Sequence, residues 1–159
     1  GMSTDEVLSL FAELEPESRK HSTYVLQEYF IPVRYFEAYV KDMAATIRKY
    51  DAKVLNVSVR HAMADPVPLL PWAKEEVFSF VVYYKQGTTA KAREHTALWT
   101  REMIDVALGY AGRYYLPYQL HATQAQFDRA YPEAAAFRAV KQKADPGGKF
   151  SNELWAKYL

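Results

Sequence analysis

The sequence contains no cysteine and carries almost no net charge. Its 159 residues include 20 lysines and arginines and 19 aspartates and glutamates, for a formal charge of +1 at pH 7. The absence of cysteine excludes disulfides, thiolate catalysis and thiolate metal sites. The balanced charge, with no long run of one sign, gives no electrostatic reason to expect a nucleic acid or an anionic membrane as a partner.

Several motifs with known chemistry are also missing. No apolar run approaches the roughly 18 residues of a transmembrane helix, and no basic and then apolar signal segment follows the start, so we expect a cytoplasmic chain. The 4 histidines show no metal-ligand spacing, which predicts no metal site. A nucleophile elbow, a glycine-rich phosphate loop and a dinucleotide fingerprint are all absent. The chain therefore has nothing recognisable with which to hold a nucleotide phosphate.

Aromatic residues, in contrast, are abundant. They make up 15% of the chain, and 13 of them are tyrosines. This share predicts an aromatic-rich surface or pocket in addition to an aromatic core. The length suits one domain. We interpret residues 1–20 as a tag remnant and a polar lead-in with a short helical pattern at Val7, Leu8, Leu10 and Phe11, and residues 21–159 as the domain itself.

Hydrophobic periodicity and turn signals predict an α+β fold. Period-two alternation indicates two strands, runs of aromatic and β-branched residues indicate two more, and steps of three and four indicate two long helices between them. The predicted strands are residues 22–30, 53–60, 77–85 and 113–121; the helices are residues 33–50 and 90–108. A proline-rich loop at 62–74, short helices at about 124–131 and 132–144, a tight turn at 145–148 and a helical turn near the end complete the chain. The order βαββαβ is that of the ferredoxin-like fold, with helices on one face of an antiparallel sheet.

The strand at 53–60 predicts what the uncovered face of this sheet carries. Its apolar residues Leu55, Val57 and Val59 alternate with Asn56, Ser58 and Arg60. If the apolar set faces the helices, the polar set lies on the uncovered face. An open surface that is rich in tyrosines and hydrogen-bonding groups predicts an occupant, which can be a partner subunit, a second domain or a ligand.

Three residues are candidates for catalysis, each with a structural alternative. Arg60 can clamp a carboxylate, a hydroxyl-rich substrate or the edge of a flavin ring, or can be a surface arginine paired with an acid. Glu28 can hold a substrate hydroxyl or act as a base, or can be a solvated strand residue. His121 can act as a base or hydrogen-bond donor, or can be structural. His61, beside Arg60, follows the same logic.

Four segments in order resemble the C-terminal region of FAD-linked oxidases of the vanillyl-alcohol oxidase type, near aldonolactone and alditol oxidases. The segments are Leu-Gln-Glu-Tyr-Phe-Ile-Pro at 26–32, Leu-Asn-Val-Ser-Val-Arg-His at 55–61 followed by Ala64-Asp65, Tyr-Leu-Pro-Tyr-Gln-Leu-His at 115–121, and Asp-Pro-Gly-Gly-Lys-Phe-Ser-Asn at 145–152. The resemblance covers nearly the whole chain. It implies a cap domain whose open sheet face roofs the flavin of an N-terminal FAD-binding domain.

The resemblance also assigns roles to individual residues. Arg60 matches an arginine that contacts substrate, whereas Ser58 stands where relatives near alditol oxidases carry a glutamate. His121 falls near a position where such relatives place a lysine or histidine beside the flavin. Asn152 matches an asparagine near the isoalloxazine, although it can equally cap a turn. The expected cofactor contacts are Asn152, Tyr118 and Gln119, and the expected substrate contacts are Ser58, Asn56, His61 and Tyr115.

The function that follows is oxidation of a CH–OH substrate, such as a sugar lactone, a polyol or a related alcohol, by hydride transfer to FAD. The pyrophosphate-binding glycines of the FAD domain are missing, so we expect this chain alone neither to retain FAD nor to turn over. Its expected partner is an FAD-binding domain or polypeptide, or a second copy on the open face. The alternatives are a standalone ferredoxin-like domain that dimerises and binds a small ligand, and an RNA-binding sheet, against which the near-neutral charge argues.

Overall fold

The computed structural model describes residues 20–159, so the helical pattern predicted at Val7, Leu8, Leu10 and Phe11 lies outside the described residues. Within them the chain forms four strands and five helices. The strands are β1 (Ser22–Pro32), β2 (Val54–Ala62), β3 (Val77–Gly87) and β4 (Arg113–Tyr114). The helices are α1 (Phe36–Lys49), α2 (Ala90–Gly109), α3 (Gln124–Ala130), α4 (Ala134–Ala144) and α5 (Glu153–Tyr158), and a 3-10 turn at Val33–Tyr35 precedes α1.

The sheet has the strand order β2-β3-β1-β4, and every neighbouring pair is antiparallel. The two long strands β1 and β3 form its centre, with Tyr29 opposite Phe80, and the short β4 adds Tyr114 beside Tyr29. This order and the sequence βαββαβ confirm the predicted α+β, ferredoxin-like fold. None of the helices within residues 20–159 is long and apolar enough to span a lipid bilayer.

The main core lies between the sheet and the helices α1 and α2. Alternate residues of β1 and β3 point toward these helices, and they are joined there by large buried side chains, among them Tyr39, Trp99 and Met103. Burying an aromatic or aliphatic side chain of this size contributes roughly 1.5–3 kcal/mol. The core also holds a polar residue, Gln27, whose Nε2 donates to Tyr84 and Thr100 while its Oε1 accepts from Tyr29. These bonds satisfy the buried amide.

The connection from α2 to β4 depends on a glycine. A Cβ on Gly112 would lie 2.6 Å from the carbonyl oxygen of Phe30 and 2.6 Å from Cδ1 of Ile31. Real Cβ atoms do not approach other atoms so closely, so only glycine lets this segment pass so near β1. The close passage is what brings Arg113 and Tyr114 alongside the sheet.

Two details of the sequence prediction are wrong. The strand predicted at 113–121 ends at Tyr114, since Tyr115 makes one last main-chain bond to Glu28 and Pro117 has no N–H to continue a ladder. Leu55 does not face the helices with Val57 and Val59. A bulge between Val54 and Asn56 interrupts the alternation there, and Leu55 is 55% exposed.

The face of the sheet opposite the helices is divided into a covered half and an open half. The loop at 63–76 folds over one half, where the ring of Trp72 packs on Phe30 with centroids 4.7 Å apart. Phe30, Ala73 and Val77 form a second, small buried cluster there. Arg113 holds this arrangement in place by donating to the carbonyl of Pro71 and to the carboxylate of Glu133. The other half, toward β2, is left open.

Candidate functional site

A cleft lies where the covered and open halves of this face meet, and we call it the Arg60 cleft. Its volume is about 450 Å³, and its lining residues are Glu28, Phe30, Arg60, His61, Ala62, Trp72, Ser79, Tyr115 and Tyr118. The strand register explains why they meet. Ser79 on β3 lies opposite Phe30 on one side and opposite Arg60 on the other, and Glu28 lies two residues before Phe30. Side chains at these positions share one face of the sheet.

The two charged side chains of the cleft, Glu28 and Arg60, differ in their hydrogen bonding. Ser79 is only 4% exposed. Its hydroxyl donates to Oε1 of Glu28 at 2.5 Å and so fixes the orientation of that carboxylate. Arg60 makes no ion pair and no side-chain hydrogen bond with any of residues 20–159, which leaves its five N–H donors for a ligand. The cleft therefore combines one positioned acceptor with one guanidinium donor.

Aromatic rings form the walls of the cleft. Tyr115 packs edge-on against both Tyr118, at 5.3 Å, and Phe30, at 5.9 Å, and Trp72 continues the row. Burial, followed by the negative charge of Glu28, raises the pKa of Tyr118, while Arg60 acts in the opposite direction. Its phenol is therefore protonated at neutral pH and can donate or accept a hydrogen bond. Such walls suit a small molecule with a polar edge and an apolar face.

The predicted substrate contacts divide into three groups. Tyr115 lines the Arg60 cleft. Asn56 and Ser58 lie further along the same open face, where Asn56 donates weakly to Ser58 at 3.4 Å, and they do not line the cleft. His61 borders the cleft, but its register opposite Phe78 places its ring on the helix side of the sheet. There its Nε2 lies 2.6 Å from Glu76.

His121 is not brought together with Glu28 and Arg60. Its Nε2 lies 2.8 Å from Oε1 of Gln119, and neither residue lines the Arg60 cleft. Burial, with the nearby charges of Lys157 and Arg101, lowers the pKa of His121 to about 4. The imidazole is thus neutral at pH 7, held among the C-terminal elements.

Asn152 and Tyr118, two of the predicted cofactor contacts, do share a cleft. This second cleft, of about 430 Å³, runs between the 116–120 segment and the start of α5, and Tyr118 borders both clefts. The side chain of Asn152 also caps α5 by accepting from the N–H of Trp155 at 2.8 Å. That bond corresponds to the capping alternative and occupies the Oδ1 atom.

Sequence reasoning did not single out Ser79, Trp72 or Phe30 as members of the site. The alternation of β3 places Ser79 on the polar face, but only the register shows that it reaches Glu28. Trp72 lies in the proline-rich loop, whose length was the available signal. Within the described residues, no group of three or more histidines and acids is placed to hold a metal ion.

The arrangement can bind a hydroxyl-bearing ring and accept a proton from it. Arg60 can donate to a carbonyl or hydroxyl oxygen, and Glu28 can accept a hydroxyl proton. The adjoining row of Asn56 and Ser58, left uncovered by the loop, offers hydrogen-bonding groups beside the cleft to a flat, polar-edged cofactor. The chemistry of these side chains suits a planar group whose edge carries hydrogen-bonding atoms, as the isoalloxazine of a flavin does.

The family model of D-arabinono-1,4-lactone oxidase matches residues 17–158. No curated protein matches the chain.

Proposed function

Since this chain belongs to the D-arabinono-1,4-lactone oxidase family, we propose that it is the substrate-binding cap domain of such an FAD-linked oxidase. The proposed reaction is oxidation of a CH–OH group in a sugar lactone, a polyol or a related alcohol. FAD, when bound, supplies the acceptor for the hydride. The contribution of this domain is to bind the substrate, to orient it and to keep water away from it.

In this proposal Arg60 binds the substrate and Glu28 accepts its proton. Arg60 holds a substrate oxygen with charge-assisted hydrogen bonds. Glu28 accepts the proton of the hydroxyl whose carbon is oxidised, and Ser79 keeps its carboxylate pointed into the cleft. The rings of Trp72 and Tyr115 pack on the apolar face of the substrate. Because Ser58 replaces the glutamate of polyol-oxidising relatives, Glu28 on the neighbouring part of the face is the acceptor we favour.

One observation supports this reading above the others. A free guanidinium from β2 and an oriented carboxylate from β1 converge in a single aromatic-walled cleft, on the side of the sheet that the helices leave bare. We therefore assign the cleft to substrate and the adjacent open half, including Ser58 and Asn56, to the flavin and the domain that carries it.

The open half of the same sheet face is also where we expect a partner to dock. The open half is proposed to dock onto an FAD-binding domain, whether that domain belongs to the same polypeptide or to another. The described residues are expected not to retain FAD alone, so the purified chain should be colourless. Visible flavin absorption that survives gel filtration would contradict this expectation. A concentration-dependent dimer that buries Arg60 would favour self-association instead.

Ligand titration followed by NMR tests the substrate site. D-Arabinono-1,4-lactone added to ¹⁵N-labelled protein should shift the amide signals of Glu28, Arg60 and Ser79 saturably. Arg60→Leu should weaken this binding by about tenfold or more, because a hydrogen bond to a charged group is lost. Arg48→Leu, on the exposed side of α1, is the matched control and should bind like the parent.

Two outcomes of this titration would contradict the proposal. If Arg60→Leu and Arg48→Leu bind the lactone alike, Arg60 does not hold the substrate. If the shifts map to the helix side of the sheet, the cleft is not the site. Glu28→Gln should bind the lactone within a few fold of the parent while abolishing proton acceptance, so it separates binding from chemistry in the complete oxidase.

A further inference from the structure

A third cavity lies beside the loop that carries Trp72, at the edge of the covered half of the sheet face. Its volume is about 300 Å³, and its walls come from the end of β1, the 63–76 loop and the ends of α2 and α3. Phe30 and Trp72 also line the Arg60 cleft, so the two spaces share an aromatic wall. We call this cavity the Arg113 pocket. Its charged lining residues are Lys74, Glu75, Arg113 and Arg129.

Arg113 is a buried cation with one donor left over. Its side chain is only 6% exposed, and its two terminal nitrogens donate to Pro71 and Glu133. Its Nε donates to none of residues 20–159. The fully buried side-chain atoms that lack a partner in this range are the hydroxyls of Tyr39 and Tyr114 and Oε1 of Gln86. The Nε of Arg113 is not one of them, so it keeps an accessible side, and the accessible space that Arg113 lines is the pocket.

The ion pairs around the pocket leave one positive charge uncompensated. Glu75 is the one acid among the lining residues, and Arg34 holds both oxygens of its carboxylate. Lys74 and Arg113 share the single carboxylate of Glu133. Three cations therefore face two acids in these pairs. The acids are engaged and do not repel an incoming anion as free carboxylates would.

Arg129 adds a second uncompensated charge. It is exposed at the end of α3, and it makes no ion pair and no side-chain hydrogen bond with any residue that the structure describes. The end of α2 opposes this charge, because a helix C-terminus carries about half a negative charge. The carbonyls of Ala107 and Leu108 there already accept the N–H groups of Gly112 and Ala111. An excess of more than one positive charge thus remains at the pocket.

The rest of the lining is mostly apolar. Phe30, Val77, Leu108 and Ala130 are buried residues that contribute to it, and the ring of Trp72 packs on Phe30. A volume of about 300 Å³ is at the lower end of the range for small-molecule sites. The pocket therefore suits a compact apolar body that carries one charged group.

We propose that the Arg113 pocket binds a small carboxylate with an apolar body, of the aromatic carboxylate class. The carboxylate lies between Arg129 and the Nε of Arg113, and the ring lies against the apolar wall. A neutral ring leaves both arginines without their anion, and a carboxylate without a ring leaves the wall in contact with water. This assignment does not rest on the proposed function of the Arg60 cleft.

Calorimetric titration of the purified chain with three probes tests the assignment. Sodium benzoate carries the charge and the ring, sodium acetate carries only the charge, and benzyl alcohol carries only the ring. Benzoate should bind saturably and at least about tenfold more tightly than either of the others, because each of them lacks one of the two contributions. Absence of saturable benzoate binding, or binding of acetate or benzyl alcohol as tight as that of benzoate, would overturn the proposal.

Two variants of Ala111 differ from each other only in charge. Ala111 lines the pocket, is exposed and has a φ of 56°, a left-handed conformation that asparagine and aspartate both tolerate. Ala111→Asp adds a carboxylate at the pocket and should weaken benzoate binding about two- to fivefold. Ala111→Asn has nearly the same shape and should bind benzoate as the parent does. Equal affinities of the two variants would contradict the electrostatic argument.

Removal of Arg129 tests the same argument from the protein side. Arg129→Gln should weaken benzoate binding about three- to tenfold, since a hydrogen bond to a charged group is lost at an exposed position. Arg93→Gln is the matched control, because Arg93 is an exposed arginine near the start of α2, at the helix end far from the pocket. If the two variants bind benzoate equally tightly, the proposal is wrong.

NMR of ¹⁵N-labelled protein separates this pocket from the Arg60 cleft, whose free guanidinium and aromatic walls could also take benzoate. In the proposed site benzoate shifts the amide signals of Gly112 and Ala130, and Arg60→Leu leaves its affinity unchanged. If the shifts centre on Arg60 and Ser79 and Arg60→Leu abolishes binding, benzoate occupies the Arg60 cleft and the proposal is wrong. If lactone binding at Arg60 fails while benzoate still responds to Ala111→Asp, the Arg113 pocket stands as a binding site and the proposed function does not.

Discussion

Neutralising Glu133 should destabilise the protein far more than a surface acid would. Its carboxylate accepts two bonds of 3.0 Å from Arg113 and pairs with Lys74 at 2.5 Å. The side chain of Arg113 is only 6% exposed, and its guanidinium also lies 4.8 Å above the ring of Tyr131. Burial acts to raise the pKa of Glu133, but the hydrogen bonds from Lys74, from its own main chain and from Arg113 lower it overall. The group is therefore an ionised partner of a buried cation.

The magnitude follows from what Glu133→Gln leaves behind. Removing one partner of a buried ion pair costs about 3–5 kcal/mol, because the other charge stays buried without compensation. The side chain of Glu133 is 31% exposed, so water can take over part of the interaction, and we expect a loss of about 2–3 kcal/mol. In Arg113→Met with Glu133→Gln, no uncompensated charge remains. The double variant should be about 1–2 kcal/mol more stable than the sum of the two single effects predicts.

Urea unfolding followed by tryptophan fluorescence at pH 7 measures these free energies. Glu75→Gln is the matched control, because Glu75 pairs with Arg34 near the same loop but both side chains are about half exposed. Solvent screens such an exposed pair, so its loss should have little effect on stability. Equal losses for Glu133→Gln and Glu75→Gln, or strict additivity of the double variant, would refute the reasoning that burial of Arg113 sets the cost.

Two further predictions concern a close backbone contact and a half-buried histidine. Gly112→Ala should lower the free energy of unfolding by about 3 kcal/mol, since its Cβ meets main-chain and side-chain atoms. Gly109→Ala, which meets nothing within 4 Å, should raise it by about 0.5–1 kcal/mol in the same urea assay, and equal effects would contradict the packing argument. The pKa of His121 is about 4 in the folded chain and 6.5 ordinarily, so the unfolded chain binds the proton first and stability should fall as the pH drops from about 6.5 to about 4. Denaturation at several pH values should show a loss of roughly 1–2 kcal/mol across this window, which His121→Gln should remove; an unchanged slope in that variant would assign the loss to other groups.

The sequence was sufficient to predict the fold because the fold depends on local periodicity. The alternation at 53–60 and 77–85 and the helical stripes at 33–50 and 90–108 lie within a few residues of the observed elements. Their order alone selects the ferredoxin-like topology. The polar side of β2, with Ser58 and Arg60, could likewise be assigned to the open face, since alternate residues of a strand must point to opposite sides.

The residues of the site could be predicted only in part. Which of them meet depends on how β3 pairs with its neighbouring strands and on how the 63–76 loop folds over the sheet. Arg60 and Glu28 were identified by residue type, but their common neighbour Ser79 follows from which residues of β3 lie opposite them. Trp72 enters the cleft only because the 63–76 loop folds back onto Phe30. His121 follows a strand pattern that Pro117 cuts short, and the chain then carries it to α5 rather than along the sheet.

The separation of the two hydrophobic clusters has a consequence for how this domain can diverge. The backbone of the sheet lies between the small cluster of Phe30, Ala73 and Val77 and the main core, and the two clusters share no buried member. Substitutions at distant sites without common contacts act independently on stability. Leu70 is the loop residue that packs against the main core. The exposed residues 66–69 can therefore change over evolutionary time without requiring compensating changes beneath the sheet. A selection experiment that randomises 66–69 should recover folded variants far more often than one that randomises four core positions.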